Sequence, residues 1–499
     1  MNNTLWRFAV RNKVRIGLSI VLAIVAPPAL HLGLAAWNDL HEQISISLPS
    51  GTVEDASHLN PTRMKMVEVS RDLNIAKIQL KNVLKDATAR SKKVTIAGSR
   101  HTMGGQTIYP DGIALDMSKF RQMQFNERTK ILMVQSGAKW AEVIPYLNQQ
   151  GYSIAVMQSN NDFSVGGTMS ANAHGWQPNH PPFASTVESF HLMLADGKVV
   201  RCSRQENTKL FSLVLGGYGL FGIILDVNLR VVPDRLYSAQ RNVISSQDYI
   251  QTYRSQVSTD VGMAYGRLSI APDRLLQEAI LTTYHQVAGD LPSEISTSES
   301  KLARTVFIGS IGSDYGKKMR WELEKISGGE TGNRVSRNQL LNRSATLFGN
   351  YKQSQTDILH EYFIPPESLG LFLAKCRQIL PKHQVDLLNV TVRNVYPDRD
   401  TFLRYADREM FGLVMLFHQQ RDPTSDAKMQ DLTQALIEAA LAVGGRYYLP
   451  YRLHATPDQL TRAYPQATEF FQLKRRYDPQ EVFQNYFYLK YGKPTRSIP

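Results

Sequence analysis

One stretch constrains this chain more than any other: Ser164-Val165-Gly166-Gly167-Thr168-Met169-Ser170-Ala171-Asn172-Ala173-His174-Gly175. Residues this small let backbone approach backbone, or let a ligand lie on the main chain. Successive exposed N–H groups in such a turn form a concave site for an anion, typically a pyrophosphate. A second stretch is its counterpart: Ala97-Gly98-Ser99-Arg100-His101-Thr102-Met103-Gly104-Gly105-Gln106, placed after the β-branched run Val94-Thr95-Ile96 as a strand-to-loop site should be. Two such cradles, the first holding an Arg and a His, imply one dinucleotide threaded between two lobes.

A chain of 499 residues exceeds one ordinary core, so two or more lobes are expected. Cys202 and Cys376 are the only cysteines, which excludes a disulfide framework and a Cys-based zinc site; no metal site is expected. The net charge is +13, compatible with nucleic acid, an anionic membrane or anionic ligands. No basic run with interleaved aromatics and no zinc-finger or helix-turn-helix signal is present, so nucleic acid is not expected.

The N-terminus gives the membrane reading an independent basis. Residues 16–37 carry no Asp, Glu, Lys or Arg, long enough to cross a bilayer as a helix, with Pro27-Pro28 as a kink. Arg7, Arg11, Lys13 and Arg15 precede it, and no Lys or Arg follows until Arg63. By the positive-inside rule residues 1–15 are cytoplasmic and the body lies on the periplasmic side of an inner or plasma membrane. A cleaved signal peptide is the rival reading, against which stands the poor small-x-small site at Leu34-Ala35-Ala36. The absence of a twin-arginine pair speaks against export of a prefolded cofactor protein.

Residues 38–55 read as a polar tether. Leu73, Ala76, Leu80, Val83, Leu84 and Ala87 share one helical face. Strands are expected at Val94–Ala97, Ile113–Met117 and Ile131–Gln135, and a helix from Trp140 stopped by Gly151. Glu188–Ala195, Asp196-Gly197 and Lys198–Ser203 form a hairpin with a type I′ turn. Gly217-Tyr218-Gly219-Leu220-Phe221-Gly222 matches GxGxxG. A Rossmann fingerprint needs a helix next, whereas Ile223 to Val232 reads as a strand that could pass beside a bound nucleotide. Leu387–Val395 alternates like a strand with Arg393 in mid-run, Gly412–His418 is an apolar strand ending in a His, and a helix runs from Met429 to Val443, stopped by Gly444-Gly445.

This order of features resembles the vanillyl-alcohol-oxidase family, the p-cresol-methylhydroxylase (PCMH) type, from about Asp55 to Tyr491. The most specific parts are Gly98 to Gly105, Ser164 to Gly175, Gly217 to Ile224, and Tyr477-Asp478-Pro479 with Phe483 and Asn485. The resemblance implies an α+β fold: a PCMH-type two-lobed FAD-binding domain over residues 56–236, a sheet-based substrate (cap) domain over 237–450, and a C-terminal segment, 451–499, returning to the flavin. It assigns to FAD the residues Gly98, Ser99, Arg100, His101, Thr102, Met103, Gly104 and Gln106 of the first loop. It adds Ser164, Gly166, Gly167, Thr168, Ser170 and His174 of the second, and Gly219, Gly222, Ile224 and Asn485.

His101 matches the position where many relatives attach the flavin covalently; a neutral imidazole is a competent nucleophile near neutral pH. Alditol and aldonolactone oxidases place a Glu-x-Arg pair on a substrate-domain strand. Here Thr391-Val392-Arg393 keeps the Arg and lacks the carboxylate. Arg446-Tyr447-Tyr448-Leu449 is similar to a region of decaprenylphosphoryl-ribose oxidases, with Tyr451 and Arg452 near their Lys. Oxidising an alcohol needs charge stabilisation at the flavin and a base for the hydroxyl proton. The candidates are Arg393, His418, Tyr451 and Arg452. The implied activity is membrane-anchored, FAD-dependent oxidation of an alcohol group in a sugar derivative, polyol or lipid-linked sugar, with oxygen or a quinone as acceptor. Two alternatives are a flavin-dependent C=C reductase and a non-catalytic flavin-binding scaffold.

Overall fold

The first glycine-rich loop leaves the end of a short parallel strand, Val94–Ala97. The computed structural model describes residues 26–41, 48–295, 301–327, 332–345, 349 and 352–493. Strands β1 (Thr52–Val53) and β2 (Thr62–Arg63) pair antiparallel. Strands β3 (Lys65–Glu68), β4 (Val94–Ala97) and β5 (Ile113–Asp116) form a parallel sheet in the order β3-β5-β4. The helix Leu73–Ala89 connects β3 to β4, leaving the central position between them for β5. The Asp72 carboxylate caps that helix by accepting from the amides of Asn74 and Ile75, and Ala76, Leu80, Leu84 and Ala87 are its buried face.

The second lobe is antiparallel. Strands β6 (Met123–Asn126), β7 (Ile131–Gln135), β8 (Tyr152–Ile154), β9 (Val187–Met193), β10 (Val199–Ser203) and β11 (Ile223–Pro233) make one sheet. Its order is β10-β9-β11-β7-β6, with β8 on β11. The expected Asp-Gly hairpin is β9–β10, but its turn is not type I′: Gly197 has φ +80°, Asp196 does not have a positive φ, and the last pair is Met193 with Val199, so the loop is longer than two residues. The segment after Gly222 is β11, a strand and not a helix, so the GxGxxG match has no Rossmann geometry.

The third sheet has eight antiparallel strands: β12 (Leu236–Ser245), β13 (Val261–Leu268), β14 (Glu278–Val287), β15 (Arg334–Ser336), β16 (Gln355–Ile364), β17 (Asp386–Val395), β18 (Met410–Gln420) and β19 (Arg446–Tyr447). Its order is β15-β12-β14-β13-β17-β18-β16-β19. Helices Leu369–His383 and Pro423–Leu441 carry buried apolar faces into the same core. The chain end returns to the first lobe, as Phe483 bridges Val94. The Asp478 carboxylate holds that turn, accepting from the amides of Val482 (2.9 Å) and Phe483 (2.8 Å) and pairing with the fully buried Lys474.

Of the expected anchor, residues 16–25 lie outside the described residues, as do residues 1–15. Residues 26–41 are helical, and no helix among the described residues is long and apolar enough to cross a membrane. The helix lies against the substrate domain. His31 Nε2 is 2.7 Å from the Gly309 carbonyl, and Arg304 donates twice to Asp39 at 2.7 Å. Leu30, Leu34, Trp37 and Leu40 on its other side are exposed. The expected tether, 38–55, is docked where described: Asp39 is ion-paired, β1 is paired, and Asp55 is buried and accepts from Gly105 N at 2.7 Å.

Candidate active site

The two glycine-rich segments meet. A Cβ on Gly98 would lie 2.0 Å from Ser164 Oγ, so only glycine permits this contact. The second segment is a short helix, Val165–Ala171, capped by Ser164 Oγ accepting from Gly167 N, and not an open turn. Asn172 ends it in the left-handed conformation at φ 47°, which Asn tolerates better than most residues. That reversal carries His174 inward.

Both segments line one cavity, closed on its far side by the third sheet. Of the expected cofactor residues, Gly98, Ser99, Arg100, His101, Thr102 and Gln106 line it from the first loop. Ser164, Gly166, Gly167, Thr168, Ser170 and His174 do so from the second, with Gly219, Gly222 and Ile224 beside β11. Met103, Gly104 and Asn485 do not. Asn485 works from behind: its amide donates to the carbonyls of Gln106 (2.9 Å) and Tyr218 (2.8 Å), fastening two cavity loops together. Gln106 donates to the Leu449 carbonyl at 2.8 Å, tying the first loop to the substrate domain.

The wall groups suit a phosphate-bearing dinucleotide. The hydroxyls of Ser99, Thr102, Thr107 and Ser136 line the cavity, are buried and lack a hydrogen-bond partner among the described residues. Buried hydroxyls are normally satisfied, and phosphate or ring oxygens would satisfy them. His101 stacks on Phe163 with ring centroids 4.0 Å apart and planes 13° apart. Burial lowers its pKa, opposed in part by Asp162, so the imidazole is held neutral.

The opposite wall carries the reactive groups. Among the expected catalytic residues, Arg393 on β17 and Tyr451 line the cavity. The Arg393 guanidinium donates to Ser159 Oγ at 2.7 Å, while its buried Nε has no hydrogen-bond partner among the described residues. Burial lowers its pKa, and the neighbouring Glu361 carboxylate opposes that. The Tyr451 hydroxyl donates to Glu361 Oε2 at 3.2 Å, and burial pushes its own pKa well above the ordinary phenol range.

The structure places His418 and Arg452 outside this wall. His418 shares the cavity-facing side of β18 with Val414 but lies four residues along, roughly 13 Å by strand rise, and bonds Asp357 at 2.7 Å. Arg452 turns the other way from Tyr451 and pairs with Asp426 at 2.6 Å in a separate recess with His454 and Lys490.

Sequence reasoning missed Glu361. It is buried on β16 and pairs closely with Nε2 of His174. Glu361 and Thr391 both stand opposite Val414, one on β16 and one on β17. They therefore share one row and one face of the sheet. In the next row Gly412 separates Phe363 from Arg393. The signal was a lone acid inside the apolar run Ile358 to Ile364, the same kind of signal that marked Arg393. The wall thus offers a carboxylate, an imidazole, a guanidinium and a phenol within one desolvated space.

A family model described as FAD binding domain matches residues 77–203, and one described as D-arabinono-1,4-lactone oxidase matches residues 227–491. Among curated relatives, L-gulonolactone oxidase of Mus musculus is 30% identical over 156 residues, 31% of this chain and 35% of that protein. D-arabinono-1,4-lactone oxidase of Debaryomyces hansenii is 25% identical over 189 residues, 35% of this chain and 34% of that protein. An uncharacterised oxidoreductase of Rhodococcoides fascians is 22% identical over 417 residues, 81% of this chain and 89% of that protein. The chain thus spans about a third of the length of the first two relatives. The second family model covers more than half of the 499 residues and ends within the returning C-terminal segment. The chain carries an FAD-binding domain of the PCMH type and belongs to the D-arabinono-1,4-lactone oxidase family.

Proposed function

We propose that this protein oxidises a CH–OH group of a sugar-derived substrate, with aldonolactones and related alditols as the first class to test. The observation that carries the reading is the single cavity joining both glycine-rich loops to the wall of Arg393, Glu361, His174 and Tyr451. The loops around Gly98–Thr102 and Ser164–Thr168 would hold FAD, which when bound accepts a hydride from a substrate carbon. Arg393 offers a fixed positive charge in a dry site, where such a group is worth most to a developing anion. An acid missing at Thr391 would favour the non-catalytic alternative; a buried acid in the same row, Glu361, speaks against it. His101, neutral and in the cavity wall, is proposed as a covalent attachment point for the flavin.

The uncharged stretch 16–37, with four basic residues before it, supports membrane association, with the body on the periplasmic side and oxygen or a quinone taking the electrons. A lipid-linked sugar would suit that placement. The function is tested by mixing the FAD-loaded protein anaerobically with D-arabinono-1,4-lactone, L-gulono-1,4-lactone and xylitol. Bleaching of the flavin by at least one is expected. No bleaching by any of them, with bleaching by a reduced nicotinamide instead, would favour the C=C reductase. Association is tested by carbonate washing: full-length chain should stay with membranes and a chain lacking residues 1–37 should not.

A further inference from the structure

We propose that Glu361 takes the hydroxyl proton of the substrate, so that this chain carries its proton acceptor on β16 instead of on β17, beside Arg393. The inference rests on the alcohol-oxidation reading above.

Thr391 lies two residues before Arg393, where alditol and aldonolactone oxidases carry an acid, and its hydroxyl is not a base near neutral pH. Across the sheet, Thr391 faces Val414, and Val414 faces Glu361. The acid therefore occupies the same row and the same face, two strands away, about 10 Å by strand spacing. Nothing bulky intervenes toward Arg393. Position 412, opposite Arg393, is glycine, and a Cβ there would stand 3.1 Å from Glu361 Oε1 and from Phe363. Strand β18 is thus cut back where the acid and the cation need to act on one substrate.

Burying a lone carboxylate is costly unless it is paired. Glu361 is 3% exposed. Its partners are His174 at Oε1 and the Tyr451 hydroxyl at Oε2, and it lies close enough to Arg393 to act on that guanidinium. His174 and Tyr451 orient the carboxylate. Tyr451 leaves Oε2 a further lone pair, since a carboxylate oxygen accepts more than once.

In the step, the substrate O–H bond breaks and its proton goes to a Glu361 oxygen. The electron pair left on oxygen forms the carbonyl double bond. FAD held between the two glycine-rich loops would supply the two-electron oxidation, taking the hydrogen on the same carbon with its bonding pair. Arg393 donates to the oxygen as it carries negative charge.

The test uses FAD-loaded full-length protein and whichever of D-arabinono-1,4-lactone, L-gulono-1,4-lactone or xylitol bleaches the wild type. Glu361→Gln should keep its FAD content and thermal midpoint. Its limiting rate of flavin reduction should fall at least 100-fold, within the range of general base catalysis. Its apparent Kd for the donor, from the concentration dependence, should change less than about fivefold. The acid limb of the wild-type rate-against-pH profile should vanish with it. Glu361→Asp should keep part of the rate, and Thr391→Glu in the Glu361→Gln background should restore part of it. A Glu361→Gln rate within threefold of wild type, or an unchanged pH profile, overturns the assignment while leaving alcohol oxidation standing. A wild type that none of the donors bleaches overturns both.

Discussion

Arg393 and Gly412 stand directly opposite one another on β17 and β18, and the absence of a side chain at 412 leaves the guanidinium facing Glu361 and Phe363 across the gap. This is where the architecture of the sheet becomes the chemistry of the site. Gly412→Ala should crowd Glu361 and Phe363 by a few tenths of an ångström. Overpacking of this kind costs roughly 1–3 kcal/mol. Urea unfolding should show a loss of that size, and flavin reduction should slow while FAD is retained. A variant as stable and as fast as wild type would mean that the gap is not used.

His101 lies flat against Phe163 and is held neutral by burial. If it is the attachment point, acid-precipitated wild-type protein keeps its yellow colour in the pellet. His101→Ala should release all flavin to the supernatant on acid treatment, yet still bind FAD through the two loops. Wild-type flavin that washes out completely would exclude the covalent bond.

His360 lies on β16 next to Glu361 in sequence but faces the opposite side of the sheet. It is buried against Phe417, within 3.2 Å of both the Tyr362 and Thr433 hydroxyls. Burial, with His454 nearby, lowers its pKa from 6.5 to about 3. The folded pKa is below the unfolded one, so the neutral ring's contribution is fully present above about pH 6.5. It is lost as pH falls toward 3. The slope for one such group approaches about 1.4 kcal/mol per pH unit. Between pH 6.5 and 5, His360→Gln should therefore lose about 1–2 kcal/mol less stability than wild type in urea unfolding. Equal losses would show that His360 is not the acid-sensitive group.

Asp39 receives two hydrogen bonds from Arg304 and fastens the helix at residues 26–41 to the substrate domain. Asp39→Ala should loosen that helix alone. Its amide hydrogens should exchange at least tenfold faster, with exchange in β16 to β18 unchanged. Unaltered exchange would show that His31 and the apolar contacts of Ala35 suffice.

Local chemistry made much of this legible in the sequence. The helix at Leu73–Ala89 followed from its apolar period, the β9–β10 hairpin from Asp-Gly, and the strand nature of β11 from its β-branched run. The loops around Gly98 and Ser164 identified themselves by small residues that only close backbone approach explains. What stayed hidden depends on pairing between distant segments. Glu361 sits in a run that reads only as a buried strand, and its meaning comes from the shared neighbour Val414, more than fifty residues further on. His418 closes the apolar run of β18, and only the register shows it to be too far along the strand. Arg452 carried the right charge beside Tyr451, but the chain bends at Tyr451 and the two side chains enter different recesses.

The most direct measurement is an anaerobic absorption spectrum of the purified FAD-loaded protein before and after addition of D-arabinono-1,4-lactone, L-gulono-1,4-lactone or xylitol. If the Arg393 wall carries out alcohol oxidation, at least one donor bleaches the flavin of wild type within seconds, and Arg393→Met bleaches at least 100-fold more slowly with the same FAD content, the size expected when one stabilising donor is lost. A wild-type flavin that stays oxidised with all three donors, or an Arg393→Met protein bleached as fast as wild type, would contradict it.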